Sequence, residues 1–361
     1  MIYDFAVIGG GIAGASVAAE LAADASVVLL EAETVAGYHS TGRSAAFWHE
    51  TLGGPLVQQL SVASLPDLEA GGFLSPRTSL NVAEPENEGL LDALMTRFAH
   101  TGARLKRLDA AGVRHWVPRA SERLVGGVLE EICADIDVAA LHAHFLARFR
   151  KAGGEILTDF RVGTLARGAG SWRIADAGRE VRAQTVVNAA GAWADPIARL
   201  AGADPLGIQP LRRTIAQVRV TTDDVPPTLP LTIDIAGTFY FKPEGANRLW
   251  LCPHDETPVD PHDVAPEDYD VAVAIDRFES VTDWRVAAVE RKWAGLRSFS
   301  PDRLPVFGFD PDLGSFFWCA GQGGIGIQTS PAAAKLCAAL LTGAKPDEGL
   351  DAVAFSPGRF R

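Results

Sequence analysis

Residues 3–31 read YDFAVIGGGIAGASVAAELAADASVVLLE. An apolar run ending in glycine is the pattern of a buried parallel strand, and the alanines and leucines that follow recur at helical spacing. Between them Gly9, Gly11 and Gly14 form G-x-G-x-x-G at a strand-to-helix turn, with Ile12 and Ala13 opening the helix. The first glycine permits a tight turn, the second lets a pyrophosphate approach the backbone, and the third lets the helix pack closely on the sheet. A second apolar strand, SVVLLE, ends in Glu31 and leads into Ala32. A carboxylate about twenty residues beyond such glycines is placed to accept hydrogen bonds from a ribose 2′-hydroxyl. The stretch predicts an α/β fold with a doubly wound, Rossmann-like dinucleotide-binding domain.

Three further stretches choose between dinucleotides. The loop GYHSTGRSAAFWHE (37–50) follows the acidic residue, where an NAD domain would continue with alternating strands and helices. QTVVNAAGAWAD (184–195) is a strand running into a small-residue turn, and FFWCAGQGGIGIQTSPAAAKLCAALL (316–341) is a strand, a glycine-rich turn and a helix. Small-residue turns so widely spaced suit a long cofactor threaded across one domain, and FAD fits better than NAD.

Composition bounds the rest. The chain has 361 residues, is 47% hydrophobic and carries a formal net charge of −12. It can bury the core of two domains or of one elaborated domain. The charge argues against a nucleic-acid surface and against a polybasic membrane patch, so a small anionic substrate would need local arginines. The first apolar stretch lacks a basic n-region and is broken by glycines and Glu20, so neither a membrane span nor a targeting segment is expected. Four cysteines lie far apart without C-x-x-C spacing, which points to a reducing compartment and a cytoplasmic location. HDETPVDPHDVAPEDYD (254–270), acidic and punctuated by proline, reads as a solvated loop.

In order along the chain, VIGGGIAGAS, GYHSTGRSAA, ADID, VVNAAGAWAD, IQPLRRT, TFYFKPEG, WAGLRSFSPDRLPVFG and GQGGIGIQTSP resemble the FAD-dependent oxidoreductases of the D-amino acid oxidase type. That family includes glycine and sarcosine oxidases and D-amino acid dehydrogenases. GYHSTGRSAA, FYFKP and GGIGIQTS look closest to its D-arginine dehydrogenase branch, which passes electrons to an acceptor other than oxygen. The resemblance implies two discontinuous domains. An FAD domain would take residues 1–74, 135–205 and 295–361. A substrate domain built on an antiparallel sheet would take residues 75–134 and 206–294.

It also implies roles for individual residues. Ser40, Thr41, Arg43, Ser44, Ala45 and Ala46 would wrap noncovalently held FAD. Val162, Ala189, Gly191 and Trp193 would line its path, and Gly323, Gly324, Ile325, Gly326 and Ile327 would face its ring. The helix opening near Ser330 points its partly positive end at that last turn, which favours negative charge on reduced flavin.

Oxidising an amino acid at carbon requires a held carboxylate. Arg297 is the candidate because a guanidinium pairs both carboxylate oxygens, and Tyr240 would donate its phenol to the same group. Arg212 and Arg213 are a further pair, either of which would face the flavin. His49 is a candidate base for the amine. Phe47, Trp48, Glu50, Leu52 and Gly324 would line the substrate pocket.

In D-arginine dehydrogenase relatives a histidine stands directly after GRSAA. Here it is displaced to His49, and the acidic residue of those relatives after LSPR is replaced by Thr78 and Ser79, which favours an apolar or aromatic substrate. Trp250 aligns with the oxygen-activating lysine of sarcosine oxidases, and no cysteine flanks Arg297. These departures point to a dehydrogenase with a quinone or another acceptor. The activity implied is hydride transfer from the α carbon of a D-amino acid or related amine to flavin N5. The alternatives are a 2-hydroxy acid dehydrogenase and a noncatalytic FAD-binding subunit.

Overall fold

The computed structural model describes residues 1–168 and 170–361. Its first sheet is mostly parallel. Tyr3–Ile8 lies between Val27–Leu30 and Glu180–Asn188, with Glu155–Leu157 and Phe316–Ala320 continuing the parallel run on the two sides. Val306–Phe309 closes one edge antiparallel.

The period of two along the first strand divides the domain into layers. Phe5 and Val7 enter one core with the helices Ile12–Leu21, Val138–Lys151 and Ser330–Thr342, while Ala6 and Ile8 enter another on the opposite face. A sheet covered on both faces needs strands that are apolar throughout, which is why SVVLL carries no alternation. Asp137 caps the second of these helices by accepting from the Ala140 amide at 2.9 Å.

The second sheet is mostly antiparallel. Its long strands Gln209–Val220 and Val286–Phe299 pair from Gln209 opposite Phe299 to Arg213 opposite Gly295 and beyond. Leu74–Ala83 and Gly126–Ile136 form a second long antiparallel pair, and Phe47–His49 adds to it opposite Cys133–Asp135. Three of the expected domain boundaries fall inside strands of this sheet, 74/75 in Leu74–Ala83, 134/135 in Gly126–Ile136 and 294/295 in Val286–Phe299, and the piece 1–74 also includes the strand Phe47–His49. The chain leaves Phe299 and re-enters the first sheet at Val306, so the end of this strand stands at the seam between the two sheets. No helix among the described residues is long and apolar enough to cross a membrane.

Candidate active site

A cavity of about 400 Å³ is lined from both sheets. At its nucleotide end stand Gly9, Gly11, Ile12, Ala13, Glu31 and Ala32. The helix that begins there has no side-chain cap on Gly11; Thr41 Oγ1 accepts from the Ile12 amide at 3.0 Å. Glu31 is held by the Gly10 and Glu33 amides, each at 2.8 Å and each on a different carboxylate oxygen. Both oxygens keep a lone pair for a further donor. Gly14 does not reach the cavity. A Cβ there would stand 1.9 Å from the Gly9 carbonyl oxygen, so its absence lets the helix close on the turn. This arrangement, a helix start whose own N-cap carries no side chain beside an anchored carboxylate, fits a dinucleotide.

The loop after Glu31 follows the same wall. Ser40, Thr41, Arg43, Ser44 and Ala45 line the cavity, as do Val162, Ala189, Gly191 and Trp193; Ala46 does not. Arg43 is tied down by the Val264 and Ala294 carbonyls and by Asp263. Its own carbonyl accepts from Trp293 Nε1 at 3.0 Å. Ser40 Oγ donates to the Leu296 carbonyl at 2.5 Å. The loop is thus stitched to the second sheet, and of its polar side chains Ser44 is the freer to serve a cofactor.

At the other end Gly323, Gly324, Gly326 and Ile327 face the space, whereas Ile325 does not line it. Arg297 lies directly against this turn, since a Cβ on Gly324 would come within 2.9 Å of its Nη1. Alternation along Gln209–Val220 separates the two adjacent arginines. Arg212 points away and pairs with Glu267 and with Asp270 at 2.8 Å. Arg213 points in, on the same face as Arg297, because Leu211 stands opposite Arg297 and Gly295 stands opposite Arg213. Tyr240 joins them.

The hydrogen bonding at this end is incomplete. Arg213 Nη1 and the Tyr240 hydroxyl are buried without a partner among the described residues. Buried polar atoms are almost always satisfied, so two orphans facing one cavity mark a place for ligand oxygens. Burial, with Arg297 beside it, lowers the Arg213 pKa, and burial raises that of the Tyr240 phenol. His254, edge-on to the Tyr240 ring at 6.0 Å, is pushed down to about 3 by burial and by the charges of Arg213 and Arg297. It is therefore a neutral imidazole in a positive field.

Phe47, Trp48, His49, Glu50 and Leu52, expected in the substrate pocket, are not among the residues lining the cavity. Trp48 turns into the helical core and donates its Nε1 to the Ser61 carbonyl at 2.9 Å. His49 Nε2 lies 3.1 Å from Glu130 Oε2 and 3.1 Å from Ser79 Oγ. Glu130 also accepts from the Glu50 amide and from Thr51 Oγ1. Glu50 itself accepts from Gln58 Nε2 at 2.7 Å. Phe47 alone of this group touches the site, edge-on to Tyr240 at 6.0 Å. Trp250 likewise lies outside the cavity lining, under Lys242 and edge-on to Trp293.

Sequence reasoning missed the segment His254–Glu256. It is no solvated loop, because the Asp255 carbonyl accepts from Arg213 Nε at 2.7 Å and Glu256 Oε1 accepts from Arg213 Nη2 at 3.0 Å. The Asp255 carboxylate takes the Thr214 amide and hydroxyl at 2.7 and 2.9 Å. Acidic residues directly after a strand that pairs beside an arginine-bearing strand were the available signal.

Residues 4–340 match the family model for DAO, FAD dependent oxidoreductase. Glycine oxidase of Geobacillus kaustophilus is 28% identical over 368 residues, 94% of this chain and 93% of that protein. The crystal structure of glycine oxidase from that organism superposes with a TM-score of 0.85 over 98% of each chain at 24% identity. L-proline dehydrogenase from P. horikoshii superposes with a TM-score of 0.87 at 20% identity, over 99% of this chain and 98% of that one. L-2-hydroxyglutarate dehydrogenase of Salmonella houtenae is 31% identical over 222 residues, 56% of this chain, and the match spans 51%, about half, of that relative's length. The chain belongs to the DAO family of FAD-dependent oxidoreductases, and FAD is its cofactor.

Proposed function

We propose that the protein oxidises a D-amino acid or related amine at its α carbon, giving an imine that water hydrolyses to a keto acid and ammonia. The observation that carries this reading is the cluster of unpartnered donors at the cavity end, Arg213 Nη1 and the Tyr240 hydroxyl beside the Arg297 guanidinium. Arg297 has a free planar fork to hold both oxygens of a carboxylate, and the two orphans supply further donors to the same group. FAD, bound noncovalently, supplies the two-electron acceptor. The chain's own residues supply orientation and field.

The buried setting also acts on the amine. Burial, which ahead of the charges of Arg213 and Arg297 holds His254 neutral, works in the same direction on a substrate ammonium, lowering its pKa and favouring the uncharged amine that oxidation requires. No base is needed at the His49 position for this, and His49 is engaged elsewhere. The D hand rests on the likeness of GYHSTGRSAA, FYFKP and GGIGIQTS to D-amino acid dehydrogenases. Preference for a quinone or another acceptor over oxygen, hence dehydrogenase rather than oxidase, rests on the same likeness, because Trp250 lies outside the cavity lining and does not stand in for a lysine over the flavin.

A second reading, oxidation of a 2-hydroxy acid, is favoured by the match to L-2-hydroxyglutarate dehydrogenase and uses the same carboxylate clamp. One experiment separates them. The holoenzyme is mixed anaerobically with amino acids of both hands and with 2-hydroxy acids, and bleaching of the flavin band is followed, then reoxidation by air or by a quinone. Reduction by D-amino acids is expected. Reduction by 2-hydroxy acids alone selects the second reading, and reduction by neither removes both.

A further inference from the structure

Arg213 offers three nitrogens, and the segment His254–Glu256 takes two of them. Nε donates to the Asp255 carbonyl at 2.7 Å, Nη2 donates to Glu256 at 3.0 Å, and only Nη1 remains for the cavity. Glu256 is itself steadied from outside by Arg303, whose Nη1 and Nη2 reach its two oxygens at 3.0 and 2.7 Å. Arg303 in turn lies over the Phe299 ring, 3.9 Å from its centroid. Burial works to raise the Glu256 pKa, but Arg303 and Arg213 outweigh it and hold the carboxyl below its usual range, so it is charged at neutral pH.

The cavity end therefore holds two guanidinium groups of unequal standing. Arg297 faces the space as a whole fork with no acidic partner within the described residues. Arg213 is compensated by Glu256 at 3.0 Å and, more distantly, by the Asp255 carboxylate at 3.9 Å, and presents one nitrogen. We propose that Glu256 is a positioning and specificity-determining residue that, together with Asp255, offsets the charge of Arg213, so that the site accepts α-substituted monocarboxylates and rejects dicarboxylates. This inference rests on the reading of the cavity end as a carboxylate site. A second carboxylate brought into the cavity would meet a guanidinium already paired, with the Glu256 carboxylate behind it, and would lose its hydration without gaining a free cation.

The test compares ligands of matched length in the holoenzyme. Butyrate and succinate are titrated against the absorbance of oxidised flavin, and 2-aminobutyrate and aspartate are compared as reductants. The wild type should prefer the monocarboxylate in both pairs. Glu256→Gln keeps an acceptor for Arg213 but removes the charge, and should move the succinate-to-butyrate Kd ratio toward the dicarboxylate by about tenfold. Glu256→Asp, which keeps the charge, should retain the wild-type ratio, and a role confined to stability would leave the ratio alike in all three. An unchanged ratio in Glu256→Gln, or binding of neither ligand by the wild type, overturns the proposal. Because butyrate and succinate are not turned over, this outcome is read separately from flavin reduction. Failure of every reductant counts against the oxidative reading alone.

Discussion

Arg213, Arg297 and Tyr240 close one end of the cavity, while His49, Ser79, Thr51, Glu130 and Gln328 form a buried cluster nearby. The Phe47 ring stands between them, 6.0 Å from Tyr240 and 6.3 Å from His49. Both groups are polar and both are buried, yet they are built on opposite terms. In the second, Glu130 accepts from the Glu50 amide and Thr51 Oγ1 and lies 3.1 Å from His49 Nε2, and Gln328 ties the His49 backbone to Ser61 through bonds at 3.1, 3.2 and 2.8 Å. Among the described residues only His49 Nδ1 in that cluster is left over. In the first, Arg213 Nη1 and the Tyr240 hydroxyl have no partner among the described residues, and both residues line the cavity. A satisfied network fixes a fold, and an unsatisfied one that opens on a cavity waits for a ligand. The difference teaches that burial and charge alone do not identify a site, because Glu130 has both and lies outside the lining.

The comparison breaks first at Arg297. Arg297→Leu should lower kcat/KM for any carboxylate substrate by about a thousandfold, since a desolvated carboxylate would lose its one uncompensated cation. FAD content and Tm should stay near wild type, because no acid among the described residues pairs with this guanidinium. Steady-state kinetics beside thermal unfolding of the holoenzyme check it. A large fall in Tm would show that Arg297 is structural after all.

Glu130 is the converse case. Glu130→Gln takes the carboxylate away from His49, Thr51 and the Glu50 amide in a fully buried place, and removing one member of such a buried network costs about 3 kcal/mol. Tm should fall by about 4 °C, with kcat/KM changed far less than by Arg297→Leu. The pH dependence sharpens the assignment. Burial works to raise the Glu130 pKa, but His49, Thr51 and the Glu50 amide outweigh it and hold the folded value below 4.5. A lowered folded pKa contributes stability that is complete above the unfolded value and is lost as pH falls through the folded one. The Tm gap between wild type and Glu130→Gln should therefore shrink as pH falls below about 4.5. A gap that grew below that pH would refute the charge assignment.

These two clusters also mark how far the sequence alone is legible. G-x-G-x-x-G, Glu31 and the turn at 323–327 work through local backbone geometry, so adjacent residues suffice to place them. Arg297 and Tyr240 emerge from a family resemblance, and strand alternation then decides between Arg212 and Arg213 once the register with Val286–Phe299 is known. The partner of His49 is not legible, because Glu130 lies 81 positions away and meets it through the pairing of Phe47–His49 with Cys133–Asp135. The run FWHE reads as a pocket wall, yet period two sends Trp48 into the helical core and leaves Phe47 and His49 on the other side. Asp255 and Glu256 mislead for a similar reason. Composition assigns an acidic, proline-rich run to solvent, but the strand pairing places its first residues beside a buried guanidinium.

Tyr240→Phe should give the smallest effect, and it divides the two kinds of cluster most sharply because activity and stability move apart. The hydroxyl is buried with no hydrogen-bond partner among the described residues, so its hydration is lost on folding without an equivalent bond in return. Removing it should leave Tm unchanged or slightly raised, the opposite of what truncating Glu130 does. The ring keeps its packing in the second sheet and its edge contact with Phe47. With substrate bound, the same hydroxyl would meet a carboxylate oxygen, and a hydrogen bond to a charged group contributes about 1.5–3 kcal/mol. Part of that is recovered through Arg297 and Arg213 Nη1, so KM should rise about tenfold, with kcat much less affected because the carboxylate is held alike before and during oxidation. If KM stays at the wild-type value while Tm falls, the phenol has an unseen structural partner, and the cavity end would have to be read on the same terms as the His49 cluster.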